Sequence, residues 1–298
     1  MKKAIQFIVL VCTVSWIISG IAILLGLRVT SEIPYIIFAS AYMLLPAICV
    51  IILQKIQKEK LLKGLNISFK LNKWFLIAGI VPLLLTFISL GINLLFPDVS
   101  FTTSYEGLLS ILPDDQASIA AEQLSTFPPI IFLIITIIQG LFAGYTINAF
   151  FAFGEELGWR AYLLKALENK KFLHVSLITG IVWGLWHFPL ILMGHNYPQY
   201  PLIGIGLMTI LCILLSPTMT YITIKSKSVI TSAIFHGNLN ALKGIAILYI
   251  VGGNNLTNGV TGIAGFLALV LINLTFFFYD KYITKENIFT KRIKEHIN

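Results

Sequence analysis

The chain has 298 residues, of which 57% are hydrophobic and only 11% charged. That balance lies outside the range of soluble globular domains and makes the bilayer the solvent the fold must answer to. The formal charge of +8 does not point to nucleic acid, because the bases recur between apolar segments instead of forming one patch.

In chain order, the first apolar run covers residues 4–27 behind Lys2 and Lys3. It is longer than the apolar region of a secretory signal and lacks a small-x-small cleavage site, so it reads as a first membrane span. Cys12 follows Val11, where lipid attachment wants a small residue; with Cys49 and Cys212 it lies in apolar surroundings at unrelated spacing. All three read as small core hydrophobes. Runs at 33–54 and 74–96 again approach the roughly 20 residues that cross about 30 Å of hydrocarbon. Between them stand Lys55, Lys58, Lys60, Lys63, Lys70 and Lys73.

The connection 97–127 holds Asp98, Glu106, Asp114, Asp115 and Glu122, with Pro113 and a polar, helical-looking stretch from Asp114 to Ser125. Its lack of bases marks it as an extracytoplasmic loop. A fourth span must lie within 128–168, but as one helix that segment would be about 60 Å long. It must tilt, break or project, and Gly140, Gly144 and Gly154 are the places for a break or close packing.

Further runs at 172–193, 202–224, 228–250 and 259–280 complete eight crossings. Lys165, Lys170 and Lys171, then Lys225 and Lys227, then Lys281, Lys285, Lys291, Arg292 and Lys294 fall in alternate connections. This pattern puts both termini in the cytoplasm. The expectation is an all-α polytopic membrane protein, a bundle of about eight transmembrane helices forming one integral domain over residues 1–298. Its place is the cell membrane, multi-pass, and its richness in Ile, Lys and Asn suggests a low-GC bacterium. No internal repeat is evident, which weighs against repeat-built transporters.

Ionisable groups at membrane depth are costly and mark function. Here they are Glu155, Glu156 and Arg160 in Phe-Gly-Glu-Glu-Leu-Gly-Trp-Arg, His187 in Trp-Gly-Leu-Trp-His, His236 with Asn240, and Lys243. Glu156 and Arg160, four apart, share a helical face and can neutralise each other as a supporting ion pair. Glu155, rotated by about 100°, is free to face elsewhere. His236 and Asn240 also share a face. Glu155 and His187 each stand about 22–24 Å of helix from the turn at Lys170 and Lys171, so a hairpin brings them level.

A carboxylate and an imidazole converging in a dry site can deprotonate water, while a second imidazole and an amide can stabilise a tetrahedral oxyanion. Glu155, His187 and His236 can equally be three zinc ligands with an open fourth position. No cofactor is required by the first scheme; zinc belongs to the second. The donor character of Asn240 favours the metal-free scheme. Lys243 reads first as snorkelling to an interface and otherwise as a positive charge near the site; His174 and His195 read as interfacial, His296 as part of the basic tail, and Trp159, Trp183 and Trp186 as packing aromatics that otherwise line the pocket.

The three motifs Glu155-Glu156-x-x-x-Arg160, Trp183-x-x-x-His187 and His236-x-x-x-Asn240 resemble the CPBP family, the CAAX-protease and bacteriocin-processing (Abi-type) intramembrane peptidases. The resemblance spans about residues 128–250 and marks them as the catalytic core. It implies Glu155 as general base, His187 as its partner on the water, and His236 with Asn240 at the oxyanion. It also implies a cavity within the membrane that opens to the cytoplasm. Trp183 stands where the family usually has Phe, and Ala161 where Gly is common. The function expected is an intramembrane endopeptidase, glutamate-dependent or a metalloprotease, acting on a membrane-associated peptide or protein in the lipid bilayer. The alternative is a non-catalytic bacteriocin-immunity protein or a proton-coupled transporter. No His-Glu-x-x-His, Gly-x-Ser-x-Gly or aspartate pair supports another intramembrane protease class.

Overall fold

The computed structural model describes residues 1–109 and 114–297; Pro113 and the side chains of Asp114 and Asp115 fall outside that description. The chain is an all-α membrane protein. Its helices, in order, are α1 (Lys2–Leu24), α2 (Ile33–Tyr42), α3 (Leu45–Ile56), α4 (Lys73–Asn93), α5 (Glu106–Leu109), α6 (Asp114–Leu124), α7 (Pro129–Tyr145) and α8 (Ile147–Glu156). There follow a π-helical segment, Leu157–Leu163, then α9 (Leu164–Ala166), α10 (Phe172–Trp186), α11 (Phe188–Leu192), α12 (Pro201–Ser226), α13 (Val229–Leu242), α14 (Ile245–Leu248) and α15 (Ile263–Phe278). Strands β1 (Val99–Phe101) and β2 (Ile250–Gly252) pair antiparallel, with Ser100 opposite Val251.

Among the described residues, five helical stretches are long and apolar enough to cross a membrane: α1, α2 with α3, α4, α12, and α15 with its extension to Thr284. A sixth is counted if α6 and α7, bent by 113° from one to the next, are taken as one broken span. Ile5, Val9, Ile17, Ile36, Leu84, Ile203 and Leu267 stand exposed around these helices. Aliphatic surface on that scale belongs in lipid.

The expected count of eight is not reached by long helices. The fifth and seventh expected spans are short, α10 with 15 residues and α13 with 14. Each turns into a further short helix, at His187 and beyond Lys243 respectively. The fourth breaks at Thr146, with φ −115° and ψ −97°, rather than at a glycine. There the Thr146 hydroxyl donates to the Phe142 carbonyl at 2.6 Å, a local bond that competes with the helix ladder.

The glycines instead admit close packing. A Cβ on Gly144 would lie 2.4 Å from Asn238 Oδ1, and one on Gly237 would lie 2.4 Å from the Gly144 carbonyl oxygen. Thus α13 seats directly on the α7–α8 break. On Gly154 a Cβ would come within 2.6 Å of the Met43 carbonyl oxygen. On Gly180 and Gly184 it would come within 2.5 Å and 2.4 Å of the α12 Cα atoms of Ile213 and Thr209. Small residues let membrane helices approach to backbone contact, where dispersion and hydrogen bonds replace the missing hydrophobic drive.

The basic connections gather at one end. Lys3 pairs with Glu59 and Lys225 with Glu286. The Asn72 amide donates to the Ser226 carbonyl at 3.1 Å, and the backbone of Phe172 donates to Lys291 at 2.9 Å. The base-poor loops gather at the other: Val29 N–H donates to the Met193 carbonyl at 2.9 Å, and the Tyr197 hydroxyl donates to the Thr261 carbonyl at 2.7 Å.

Candidate active site

The sequence on either side of Glu155 gives the first half of the site. Helix α8 carries Glu155 and Glu156 at its end, and the chain continues as π helix through Arg160, a geometry that often marks functional positions. Both carboxylates are buried, Glu155 at 2% exposure and Glu156 at 0%. They face different partners, as successive helical residues must.

Glu156 turns to Arg160 and His236. Arg160 Nη1 lies 3.1 Å from one Glu156 oxygen, and His236 Nδ1 donates to the other at 2.9 Å. Arg160 Nη2 donates onward to the Ser216 hydroxyl of α12 at 3.1 Å. Its guanidinium lies 4.3 Å from the centre of the Trp183 ring, so cation–π attraction adds to the ion pair. These contacts offset part of the cost of burying the two charges, although Glu156 Oε2 and Arg160 Nε are buried without a hydrogen-bond partner.

Glu155 turns to α10. Trp183 Nε1 donates to Glu155 Oε2 at 2.7 Å, leaving Oε1 for another partner. One turn later His187 Nδ1 donates to the Trp183 carbonyl at 2.7 Å. Because a carbonyl and a carboxylate can only accept, Nδ1 carries the proton in both His187 and His236, and each ring presents Nε2 away from its anchor. Trp183 separates the two rings, 5.8 Å from His187 and 5.3 Å from His236 between centres.

Glu155, His187, His236 and Asn240 all line one cavity of about 370 Å³, together with Trp183. Asn240 is the most open of the four. Trp159 and Trp186 pack in the core instead, against Phe7 and Tyr42, and Trp186 donates to the Ser15 hydroxyl at 2.8 Å. Among the described residues, no three of His, Cys, Asp and Glu form a group that could hold a metal ion.

Of its two readings, Lys243 takes the one that puts a positive charge near the site: it lines the cavity and donates to Asn196 Oδ1 at 2.7 Å. His195, in the loop before α12, lines the same cavity beside the Tyr35 ring. Asn148 also lines it and was not singled out, although it stands two turns before Glu155 on the same helix.

Residues 126–242 match the family model described as type II CAAX prenyl endopeptidase Rce1-like. That segment covers less than half of the chain, yet holds every residue of the three motifs. A stretch of 93 residues is also 41% identical to CAAX prenyl protease 2 of Methanococcus maripaludis. The match covers 29% of this chain and 34% of that relative's length, so the chain spans about a third of the curated relative it matches. The first three helical spans lie outside the matched segment, as does Lys243, which stands one position beyond it.

Proposed function

We propose that the protein is an intramembrane endopeptidase that hydrolyses a peptide bond of a membrane-associated peptide or protein, with Glu155 activating the attacking water. The observation that carries this reading is the convergence of Glu155, His187, His236 and Asn240 on one cavity, within the segment that matches the Rce1-like model. The name of the curated relative, a CAAX prenyl protease, supports a membrane-associated protein substrate. Nothing in these comparisons favours the immunity or transport alternative.

In the proposed reaction, water lies between Glu155 Oε1 and His187 Nε2. Glu155 takes its proton as the oxygen attacks the scissile carbonyl carbon. Trp183 keeps the other carboxylate oxygen in place, so the base is oriented before substrate arrives. The tetrahedral oxyanion receives a hydrogen bond from the Asn240 amide and lies beside His236, which Glu156 holds through Nδ1. Collapse breaks the C–N bond, and Glu155 returns its proton to the leaving amine. Glu156 and Arg160 touch no reacting atom in this scheme; they hold His236 and the helix that carries Glu155. Both termini and the basic end lie in the cytoplasm on this reading, and residues 128–250 form the catalytic core.

Reconstitution into liposomes with fluorogenic, membrane-anchored peptides tests the proposal. The wild type is expected to cleave, and Glu155→Ala and His187→Ala are each expected to lose about 10²–10⁴-fold. Cleavage that survives both substitutions overturns it. Elemental analysis of the active protein tests the metal-free scheme; stoichiometric metal whose removal abolishes cleavage overturns that part.

A further inference from the structure

The basic end of the bundle holds a cavity of about 640 Å³ that the proposed reaction does not use. It lies where the start of α1, the end of α3 and the loop after it meet the π helix and α9. Two of its lining lysines are already neutralised: Lys3 pairs with Glu59, and Lys165 with Glu168. The other three, Lys2, Lys60 and Lys63, have no carboxylate partner among the described residues. Three ammonium groups around one cavity repel one another and favour an anion between them.

The loop that carries Lys60 and Lys63 is folded tightly over this cavity. Lys58, Leu62 and Gly64 take left-handed conformations, with φ 55°, 59° and 77°, each of which turns the chain sharply. Gln54 holds the loop down: its carbonyl accepts from the Glu59 N–H at 2.8 Å, and its Oε1 accepts from the Leu62 N–H at 2.8 Å. Gln54 is itself only 2% exposed and lines the cavity. With Oε1 taken, its amide nitrogen has no partner among the described residues. That nitrogen adds two neutral N–H donors to the charged ones.

A second feature identifies the anion. Next along the same two helices runs an apolar groove, lined by Ile5, Val9 and Leu10 of α1 and by Leu53 and Ile56 of α3. Ile5, Val9 and Ile56 are exposed, so the groove opens to the hydrocarbon. From Ile5 to Thr13 it follows α1 for about 12 Å, most of the roughly 15 Å of hydrocarbon in one leaflet. A free phosphate would occupy the lysines and leave the groove empty, whereas a phospholipid uses both. We propose that α1 and α3 bind one anionic phospholipid, its phosphate-bearing head group among Lys2, Lys60 and Lys63 and one acyl chain along the groove. Both helices lie outside residues 126–242, and the site uses none of the groups assigned to peptide hydrolysis.

Native mass spectrometry of the full chain in detergent, titrated with phosphatidylglycerol or phosphatidylcholine of identical acyl chains, tests this. Wild type is expected to bind one phosphatidylglycerol about tenfold or more tighter than phosphatidylcholine. Lys60→Gln with Lys63→Gln is expected to bring that ratio toward one, and Lys60→Arg with Lys63→Arg to keep it. Lys281→Gln with Lys294→Gln removes as much charge elsewhere at the basic end and is expected to leave the ratio unchanged. A wild-type ratio near one overturns the proposal. So does a Lys281 and Lys294 pair that lowers the ratio as far as the Lys60 and Lys63 pair, because general attraction to the basic end then suffices. Glycerol phosphate in large excess is expected not to displace the phospholipid; displacement would show a site for soluble phosphate and overturn the lipid assignment. If Lys60→Gln with Lys63→Gln fails to fold, Lys2→Gln alone is expected to lower the ratio about fivefold, and an unchanged ratio overturns the proposal.

Discussion

Trp183 joins the halves of the site by three separate contacts. Its indole N–H reaches Glu155, its ring faces Arg160, and its carbonyl receives the His187 proton. A phenylalanine could keep the second and third of these but not the first. Trp183→Phe is therefore expected to lower kcat with little change in folding, since a hydrogen bond to a charged group contributes about 1.5–3 kcal/mol, or about ten- to a hundredfold in rate. Steady-state kinetics beside a thermal melt checks this; a melt that falls as steeply as kcat contradicts it. Arg160 is the opposite kind of residue. Arg160→Met leaves Glu156 as a buried carboxylate short of one partner and should cost about 3–5 kcal/mol of stability. Adding Glu156→Gln to it should restore part of that loss in detergent melts, whereas a further fall would show that the pair is not what the arginine serves.

At the scale of elements, the site depends on helices that touch backbone to backbone. The face of α10 with Gly180 and Gly184 sets the height of Trp183 and His187 against α12. Gly184→Val would drive a side chain into the Thr209 backbone. It is expected to destabilise the protein by about 1–3 kcal/mol or more and to lose activity through displaced His187, readable as a lower melting temperature with a matched fall in kcat. Wild-type stability in that variant would contradict this packing account. The motif residues were legible in the sequence because charge is scarce in apolar helices, so Glu155, His187 and His236 stood out by chemistry and spacing. The short lengths of α10 and α13 were not, since hydropathy runs through the bends at His187 and Lys243 without a break. Nor did the sequence decide between an outward and an inward Lys243: its partner Asn196 comes from a loop distant in sequence, and loop positions carry no periodicity to place them.

Across the whole molecule, two expectations about orientation separate. The basic connections 57–72, 165–171 and 225–228 lie at one end, and the cavity runs from mid-helix toward the other, where Tyr35, His195, Asn196, Lys243 and Thr261 line it. A cavity that opens to the cytoplasm and a basic end in the cytoplasm do not describe the same end of this bundle. Charge is the stronger physical determinant of insertion, so single cysteines at Lys60 and Thr257 in a cysteine-free background should differ. An impermeant maleimide added to intact cells is expected to label Thr257→Cys and spare Lys60→Cys; the reverse pattern contradicts the assignment. The central claim, that Glu155 activates water and does not attack the carbonyl itself, is tested most directly by a single turnover in ¹⁸O-water. The account predicts one heavy oxygen in the new carboxylate of the product and none in Glu155. An unlabelled product from that first turnover, with the label appearing in Glu155 afterwards, would contradict it.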